Sequence, residues 1–123
     1  MTTSPSAAVQ AFLAAVREPG AETHSAARAQ VTAAVRVFGP FGQGSGGAAF
    51  DAMLEHPLVA RLLTGAEWSE PELDGDVVRV TATAKPGAGV GGFRFGLHLD
   101  EQDQIDRIEQ DLLPAPPLER QPI

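Results

Sequence analysis

Cysteine is absent from the 123-residue chain, and its absence excludes several kinds of site. Without thiolates there are no disulfides, zinc ribbons or iron–sulfur clusters, and a secreted scaffold held together by disulfides is not expected. No cationic start followed by an apolar run marks a secretory signal, and no stretch approaches the ~18 apolar residues of a membrane span. We therefore expect a cytoplasmic protein without a membrane partner.

Positive charge is also scarce. Nine Lys and Arg stand against sixteen Asp and Glu, which gives a formal net charge of −7, so a nucleic-acid backbone would be repelled. With 43% hydrophobic and 20% charged residues, the composition is typical of one globular domain over residues 1–123. Residues 1–5 and the proline-rich segment 114–123 are predicted to be flexible or extended tails.

Helical spacing of apolar residues dominates the first half of the chain. In the first predicted helix, one face is formed by Val9, Phe12, Leu13 and Val16. The second predicted helix is rich in alanine and has a thin apolar stripe at Ala26, Ala29 and Ala33. The predicted helices span 6–19, 21–32, 48–55 and 57–65, with a β-like segment at 34–38.

The second half of the chain changes to the two-residue period of strands, which are predicted over 77–84, 93–99 and 105–112. Asp74-Gly75-Asp76 is predicted as a tight turn before the first of them. Ile105 and Ile108 are three residues apart, which strict alternation cannot satisfy, so a bulge is predicted near Asp106-Arg107. Helices on one face of a curved, mostly antiparallel sheet define an α+β domain.

Three other patterns have structural explanations. The segment 42–47 matches G-x-G-x-x-G, but no βαβ unit or lysine follows it, so a turn is favoured over a phosphate cradle. The segment 100–104 resembles a calcium loop superficially and is predicted as a hairpin turn. The histidines, His24, His56 and His98, do not pair with other ligands at metal-binding spacing, so no metal site and no cofactor are predicted.

The order of these elements resembles the nuclear transport factor 2-like superfamily, in its SnoaL-like and ketosteroid-isomerase-like branch. The segments that carry the resemblance are VRVFGPFG at 35–42, DGD at 74–76 and DQIDRI at 103–108. It covers 9–114 and implies a cone-shaped α+β domain that forms a homodimer through its outer sheet face. The residues predicted on that face are Arg79, Thr81, Thr83, Arg94, Gly96 and His98.

The resemblance also implies where catalytic groups would lie. Ketosteroid isomerases have a general-base aspartate before the proline of this motif, and the aligned residue here is Gly39. Their oxyanion hole needs a helix tyrosine and an aspartic acid on a late strand. This chain has no tyrosine, and the aligned strand position falls near Phe95. The Asp-Arg-Asp site of limonene-epoxide-hydrolase-like relatives is also disfavoured, because the sheet arginines are predicted on the outer face. Ketosteroid isomerase chemistry is therefore not expected.

With these catalytic sites disfavoured, the resemblance implies a cone with apolar walls and one polar side chain, the amide of Gln110. The candidate pocket-lining residues are Phe38, Phe50, Met53, Trp68, Phe93, Phe95, Gln110 and Leu112. These residues suit either a plain core or a pocket for a small hydrophobic ligand. Binding of a small apolar molecule is the function we expect. The alternatives are a polyketide- or terpenoid-type isomerase, cyclase or hydrolase with a non-standard pocket, and a non-catalytic dimeric interaction module.

Overall fold

The first layer of the molecule includes three helices whose bounds lie within the described residues. The computed structural model describes residues 7–18, 20–57, 59, 61, 66–84 and 90–114. Its helices are α1 (Ala7–Arg17), α2 (Ala21–Arg28) and α3 (Gly47–Leu54). The predicted apolar face of α1 is buried along its whole length, which confirms its helical period. None of the described helices is long and apolar enough to cross a membrane.

The second layer is a single open sheet, to which the described part of the chain contributes seven strands. They are β1 (Val31–Phe38), β2 (Gly44–Ser45), β3 (Glu67–Trp68), β4 (Glu72–Asp74), β5 (Val77–Thr83), β6 (Gly92–Leu99) and β7 (Ile105–Leu113). Their order is β2-β1-β7-β6-β5-β3, and β4 also pairs with β5. β1 runs parallel to β7, and the other pairs are antiparallel. The sheet is therefore mixed, and the α+β fold class is confirmed.

The helices pack on one face of this sheet, which we call the inner face; the opposite one is the outer face. Alternation along β5, β6 and β7 buries Val80, Phe95 and Ile108 on the inner face. The predicted outer-face arginines Arg79, Arg94 and Arg107 are exposed, as expected. The strand period thus separates a hydrophobic core from a polar surface.

A bulge in β7 explains the odd spacing of its isoleucines. His98 pairs with Arg107, whereas the next residue, Leu99, pairs with Ile105, so Asp106 is the extra residue. The bulge lets both Ile105 and Ile108 enter the core, where each is 0% exposed. The predicted bulge is confirmed.

The two predicted hairpin turns are also confirmed. β4 and β5 are joined directly through Gly75-Asp76. Between β6 and β7, Asp100 Oδ1 accepts hydrogen bonds from the backbone N of Gln102 at 2.8 Å and of Gln104 at 2.9 Å. An aspartate that bonds the backbone of its own loop is typical of a turn.

Two helix predictions need correction. The second helix ends at Arg28, and Val31 already pairs with Ile105, because pairing with β7 overrides the helix propensity of the alanines. Its buried residue is Ala27 rather than the predicted alanine stripe. Most of the predicted helical run over 57–65, and both predicted tails apart from Pro114, lie outside the described residues.

Candidate functional site

Two neighbouring strands bring four of the predicted pocket residues side by side on the inner face. Phe95 of β6 lies opposite Gln110 of β7, and Phe93 lies opposite Leu112. Both phenylalanines are 1% exposed. The alternation of β6 and the antiparallel register were enough to place this group.

The helices pack over part of this group of side chains, which therefore belongs to the hydrophobic core. Phe12 of α1 meets Phe95 edge to face, with ring centroids 5.3 Å apart and an interplanar angle of 71°. Phe50 and Met53 of α3 are buried at 0% and 1% exposure. Around Phe95 the structure therefore shows dense packing, which is one of the two interpretations that the sequence left open.

Two residues that the sequence analysis did not select complete the wall beside Phe93. Phe41 follows β1 in a turn and is 4% exposed. Its ring lies 4.9 Å from that of Phe93 and 5.6 Å from that of His56, centroid to centroid. His56 is half-buried just after α3. Both residues lie in loops, where hydrophobic periodicity does not predict which way a side chain faces. The only sequence signal for Phe41 is the turn motif that contains it, GPFG at 39–42.

We call Phe41, His56, Phe93, Gln110 and Leu112 the inner-face cluster. Among the described residues, Gln110 is the only buried side chain that is polar or charged, at 4% exposure. Its Oε1 accepts a hydrogen bond from the backbone N of Phe41 at 3.1 Å. Its Nε2 is buried and has no hydrogen-bond partner among the described residues. An unpaired buried donor lowers the free energy of unfolding by about 1–3 kcal/mol, so the amide of Gln110 destabilises the fold in this aromatic environment.

The turn that carries Phe41 reaches Gln110 because residue 39 has no side chain. A β-carbon at Gly39 would lie 2.5 Å from Cβ of Gln110 and 2.6 Å from its carbonyl oxygen. Gly39 also has a φ of +143°, which side chains rarely tolerate. A side chain such as aspartate therefore has no room at position 39, where the resemblance would place the isomerase general base.

The inner face opens to solvent toward the end of β7. Along this face, exposure rises from 0% at Ile108 to 4% at Gln110 and 47% at Leu112. Leu112 is the partner of Phe93, so an exposed apolar side chain adjoins a buried aromatic ring. The inner-face cluster thus lies where the core gives way to solvent.

The structure corrects the placement of Phe38. Val35 and Val37 of β1 are buried at 0%, so the strand period turns Phe38 to the outer face. There its ring contacts two guanidinium groups, 5.1 Å from Cζ of Arg36 and 4.7 Å from Cζ of Arg107. Phe38 does not join the inner-face cluster.

Trp68 lies at a different edge of the inner face. Its ring stacks on Phe95 at 6.2 Å and 14°, and Cζ of Arg17 lies 5.4 Å from its centroid. With residues of α1 and with Pro71, Trp68 lines an open groove of about 500 Å³. Gln110 adjoins Phe95 from the β7 side, whereas Trp68 approaches it from the β5 side.

The outer face carries a small network of charges. Glu109 Oε1 lies 3.0 Å from Nη2 of Arg107 and 3.3 Å from Nε2 of His98. His98 is half-buried on this face, as the strand period predicted. Two grooves of about 360 and 380 Å³ flank Arg36 on the same side.

A second polar cluster joins two helices. Nε2 of His24 lies 2.7 Å from Oδ1 of Asp51, and Nε of Arg28 lies 3.4 Å from the same oxygen. These contacts connect α2 to α3. In the part of the chain that the structure describes, no group of three or more His, Cys, Asp or Glu residues is arranged to hold a metal ion.

The glycine-rich segment at 42–47 has a structural role. Gly44 and Ser45 form β2, which pairs with β1 at the edge of the sheet. The backbone N of Gly46 then donates to the carbonyl oxygen of Val35 at 2.7 Å. The turn predicted for G-x-G-x-x-G is thus partly a short edge strand.

Comparison with solved structures reveals the fold. A proposed isomerase of the SnoaL-like family from Agrobacterium tumefaciens has a TM-score of 0.63 at 22% identity, over 85% of this chain and 93% of that chain. A proposed polyketide cyclase from Sinorhizobium meliloti has a TM-score of 0.65 at 19% identity, with coverage of 85% and 93%. An NTF2-like protein of unknown function from Cytophaga hutchinsonii has a TM-score of 0.60 at 16% identity, with coverage of 91% and 94%.

These similarities lie in the three-dimensional structure rather than in the amino-acid sequence. No protein-family model and no curated protein sequence matches the chain. The solved structures show that the chain has the SnoaL-like, or nuclear transport factor 2-like, fold that its sequence resembles. Proteins with the same fold can have different functions, so a function has to be inferred from the residues of the site and not from the fold.

Proposed function

We propose that this SnoaL-like chain binds a small, mainly apolar molecule at the inner-face cluster. The observation that carries the proposal is the rise in exposure along the inner face of β7, from 0% at Ile108 to 47% at Leu112. An apolar wall that runs from the core to solvent offers a ligand a surface that is both reachable and easily desolvated.

The composition of the cluster supports this location over the Trp68 groove. Leu112 supplies exposed apolar surface, and it adjoins Phe93, whose buried ring lies 4.9 Å from that of Phe41, centroid to centroid. In the groove, one side of Trp68 stacks on Phe95, and Arg17 stacks on the ring as well. The ring of Trp68 therefore already has two packing partners, whereas the side chain of Leu112 is 47% exposed.

Fluorescence titration with prodan, a neutral naphthyl ketone whose emission shifts to the blue in apolar surroundings, tests the proposal. We expect saturable binding, and we expect Leu112→Arg to weaken it at least about tenfold because the substitution puts a charge at the opening. Leu73→Arg is the matched control, since Leu73 is an exposed leucine of β4, 69% exposed. Equal binding by both variants, or no binding by the wild type, would contradict the proposal.

The alternative enzymatic function would use the same site. His56 has a half-buried imidazole beside Phe41, and in this alternative it serves as the general acid or base of an isomerase, cyclase or hydrolase. The test is incorporation of deuterium from D₂O into the α-carbons of 2-tetralone. Catalysed exchange that His56→Gln abolishes, with prodan binding kept, would favour this alternative. Exchange at the background rate would leave binding as the function.

We also propose that the chain forms a homodimer through its outer sheet face. The observation that favours this is the half-buried aromatic ring of Phe38, which lies on that face in contact with two arginines. Thr81 lies half-buried on the same face, so Thr81→Glu is expected to weaken association, while Glu101→Lys in the turn after β6 is the control. Sedimentation of the wild type as a monomer at micromolar concentration would contradict the proposal.

A further inference from the structure

The orientation of the Gln110 amide is determined by a backbone group. The backbone N of Phe41, which can only donate, lies 3.1 Å from the amide atom assigned as Oε1. If the amide were flipped, two N–H groups would face each other, and Phe41 would lose its acceptor. The network therefore assigns the oxygen to the Phe41 side and leaves Nε2 on the other side.

Nε2 of Gln110 is consequently a donor without an acceptor. It is buried in a side chain that is 4% exposed, and no described residue accepts a hydrogen bond from it. The inner-face neighbours of Gln110 on β7 and β6 are Ile108, Leu112 and Phe95, and none of these side chains has an acceptor. Buried polar groups in native proteins are nearly always paired, so this donor requires a partner from outside the described residues.

The surrounding charges limit the kind of partner. The four arginines of the sheet, Arg36, Arg79, Arg94 and Arg107, are exposed on the outer face. A carboxylate at Nε2 would thus be desolvated without a sheet arginine to neutralise it, which is unfavourable. A neutral oxygen, which needs one hydrogen bond and no counter-charge, fits the position.

We propose that the ligand of the inner-face cluster is a mainly hydrocarbon molecule with a neutral acceptor oxygen, such as a ketone carbonyl, which accepts a hydrogen bond from Nε2 of Gln110. This inference rests on the proposed function. It makes Gln110 the residue that determines specificity, because a hydrocarbon of the same shape would leave the buried donor unpaired. The hydrogen bond from Phe41 holds the amide ready before the ligand arrives.

A matched pair of ligands tests the inference in the whole chain. 2-Acetylnaphthalene and 2-isopropenylnaphthalene have nearly the same shape, and only the first has an acceptor oxygen. In competition with prodan, we expect the wild type to favour the ketone roughly five- to tenfold, the ratio that one hydrogen bond supplies. We expect Gln110→Met, which keeps the length of the side chain, to lose this preference. Glu109→Met, on the outer face of the same strand, should keep it.

A second measurement does not depend on whether Gln110→Met folds. The infrared carbonyl stretch of 2-acetylnaphthalene bound to the wild type should lie below its position in cyclohexane, because a hydrogen bond weakens the C=O bond. Equal affinity for both ligands, with an unshifted carbonyl stretch, would overturn the inference and leave the proposed function standing. Failure of prodan and of both ligands to bind would overturn the two together.

Discussion

The backbone of Gly39 lies so close to Gln110 that a β-carbon at position 39 would be 2.5 Å from Cβ of Gln110. This contact joins the turn after β1 to the inner face of β7. It positions Phe41, whose backbone N donates to Gln110 at 3.1 Å. The inner-face cluster therefore depends on a glycine at the position where the resemblance to ketosteroid isomerases would place a general base.

Substitution of Gly39 should destabilise the fold more than substitution of a similar glycine nearby. Gly42 has a φ of +153° and no atom within 4 Å of an added β-carbon, so Gly42→Ala should cost only the backbone strain, about 1–3 kcal/mol. Gly39→Ala combines the same kind of strain with a clash, which should add about 1–3 kcal/mol. Urea denaturation measures both. Equal losses would mean that Gly39 and Gln110 are not in contact.

For the same reason, Gly39→Asp should not introduce isomerase activity. The variant is expected to unfold at lower urea concentration than Gly39→Ala, since its larger side chain meets the same obstacle. Conjugation of a 5-ene-3-ketosteroid, followed by ultraviolet absorbance, is expected to stay at background. Turnover by a folded Gly39→Asp variant would show that the carboxylate fits and that the site geometry is wrong.

Two phenylalanines on opposite faces of the sheet should differ in their contribution to stability. Phe95→Ala removes a ring that is 1% exposed and contacts Phe12, so we expect a loss of about 3–5 kcal/mol in the free energy of unfolding. Phe38→Ala removes a half-buried ring that contacts two arginines, and we expect a loss of about 1–2 kcal/mol in the free energy of unfolding. Thermal or urea unfolding compares them. A loss from Phe38→Ala as large as that from Phe95→Ala would place Phe38 in the core.

The contact between His24 and Asp51 should couple α2 to α3 weakly. Their side chains are 25% and 38% exposed, and so solvent screens the pair. A double-mutant cycle with His24→Ala and Asp51→Ala is expected to give a coupling energy of roughly 0.5–1 kcal/mol. A cycle that pairs His24 with exposed Glu55 serves as the reference and should give none. Equal coupling in both cycles would rule out a specific contact.

Strand period predicted much of this fold from local rules. The alternation from Phe93 to Leu99 placed the inner and outer faces of β6, and the spacing of Ile105 and Ile108 predicted the bulge at Asp106. These predictions succeeded because a residue in a strand has only two directions to face. The aromatic wall of Phe93 and Phe95 followed from the same rule.

Predictions failed where the structure depends on distant partners. Alanines favoured a helix over 21–32, but Val31 joins the sheet because Ile105, far along the chain, pairs with it. Phe38 was assigned to the cone by its chemistry, although its neighbour Val37 takes the inner position. Phe41 lies in a turn without period, and only the glycine at position 39 and the acceptor on Gln110 determine where it packs.

The most direct test of the account is nuclear magnetic resonance of the ¹⁵N-labelled chain during titration with 2-acetylnaphthalene. The side-chain NH₂ of Gln110 and the indole N–H of Trp68, the single tryptophan, report on the two competing sites. We predict that the Gln110 NH₂ resonances shift strongly and saturate, as one hydrogen becomes bonded to the ligand, while the Trp68 resonance moves little. A saturating shift at Trp68 with unchanged Gln110 resonances would contradict the account.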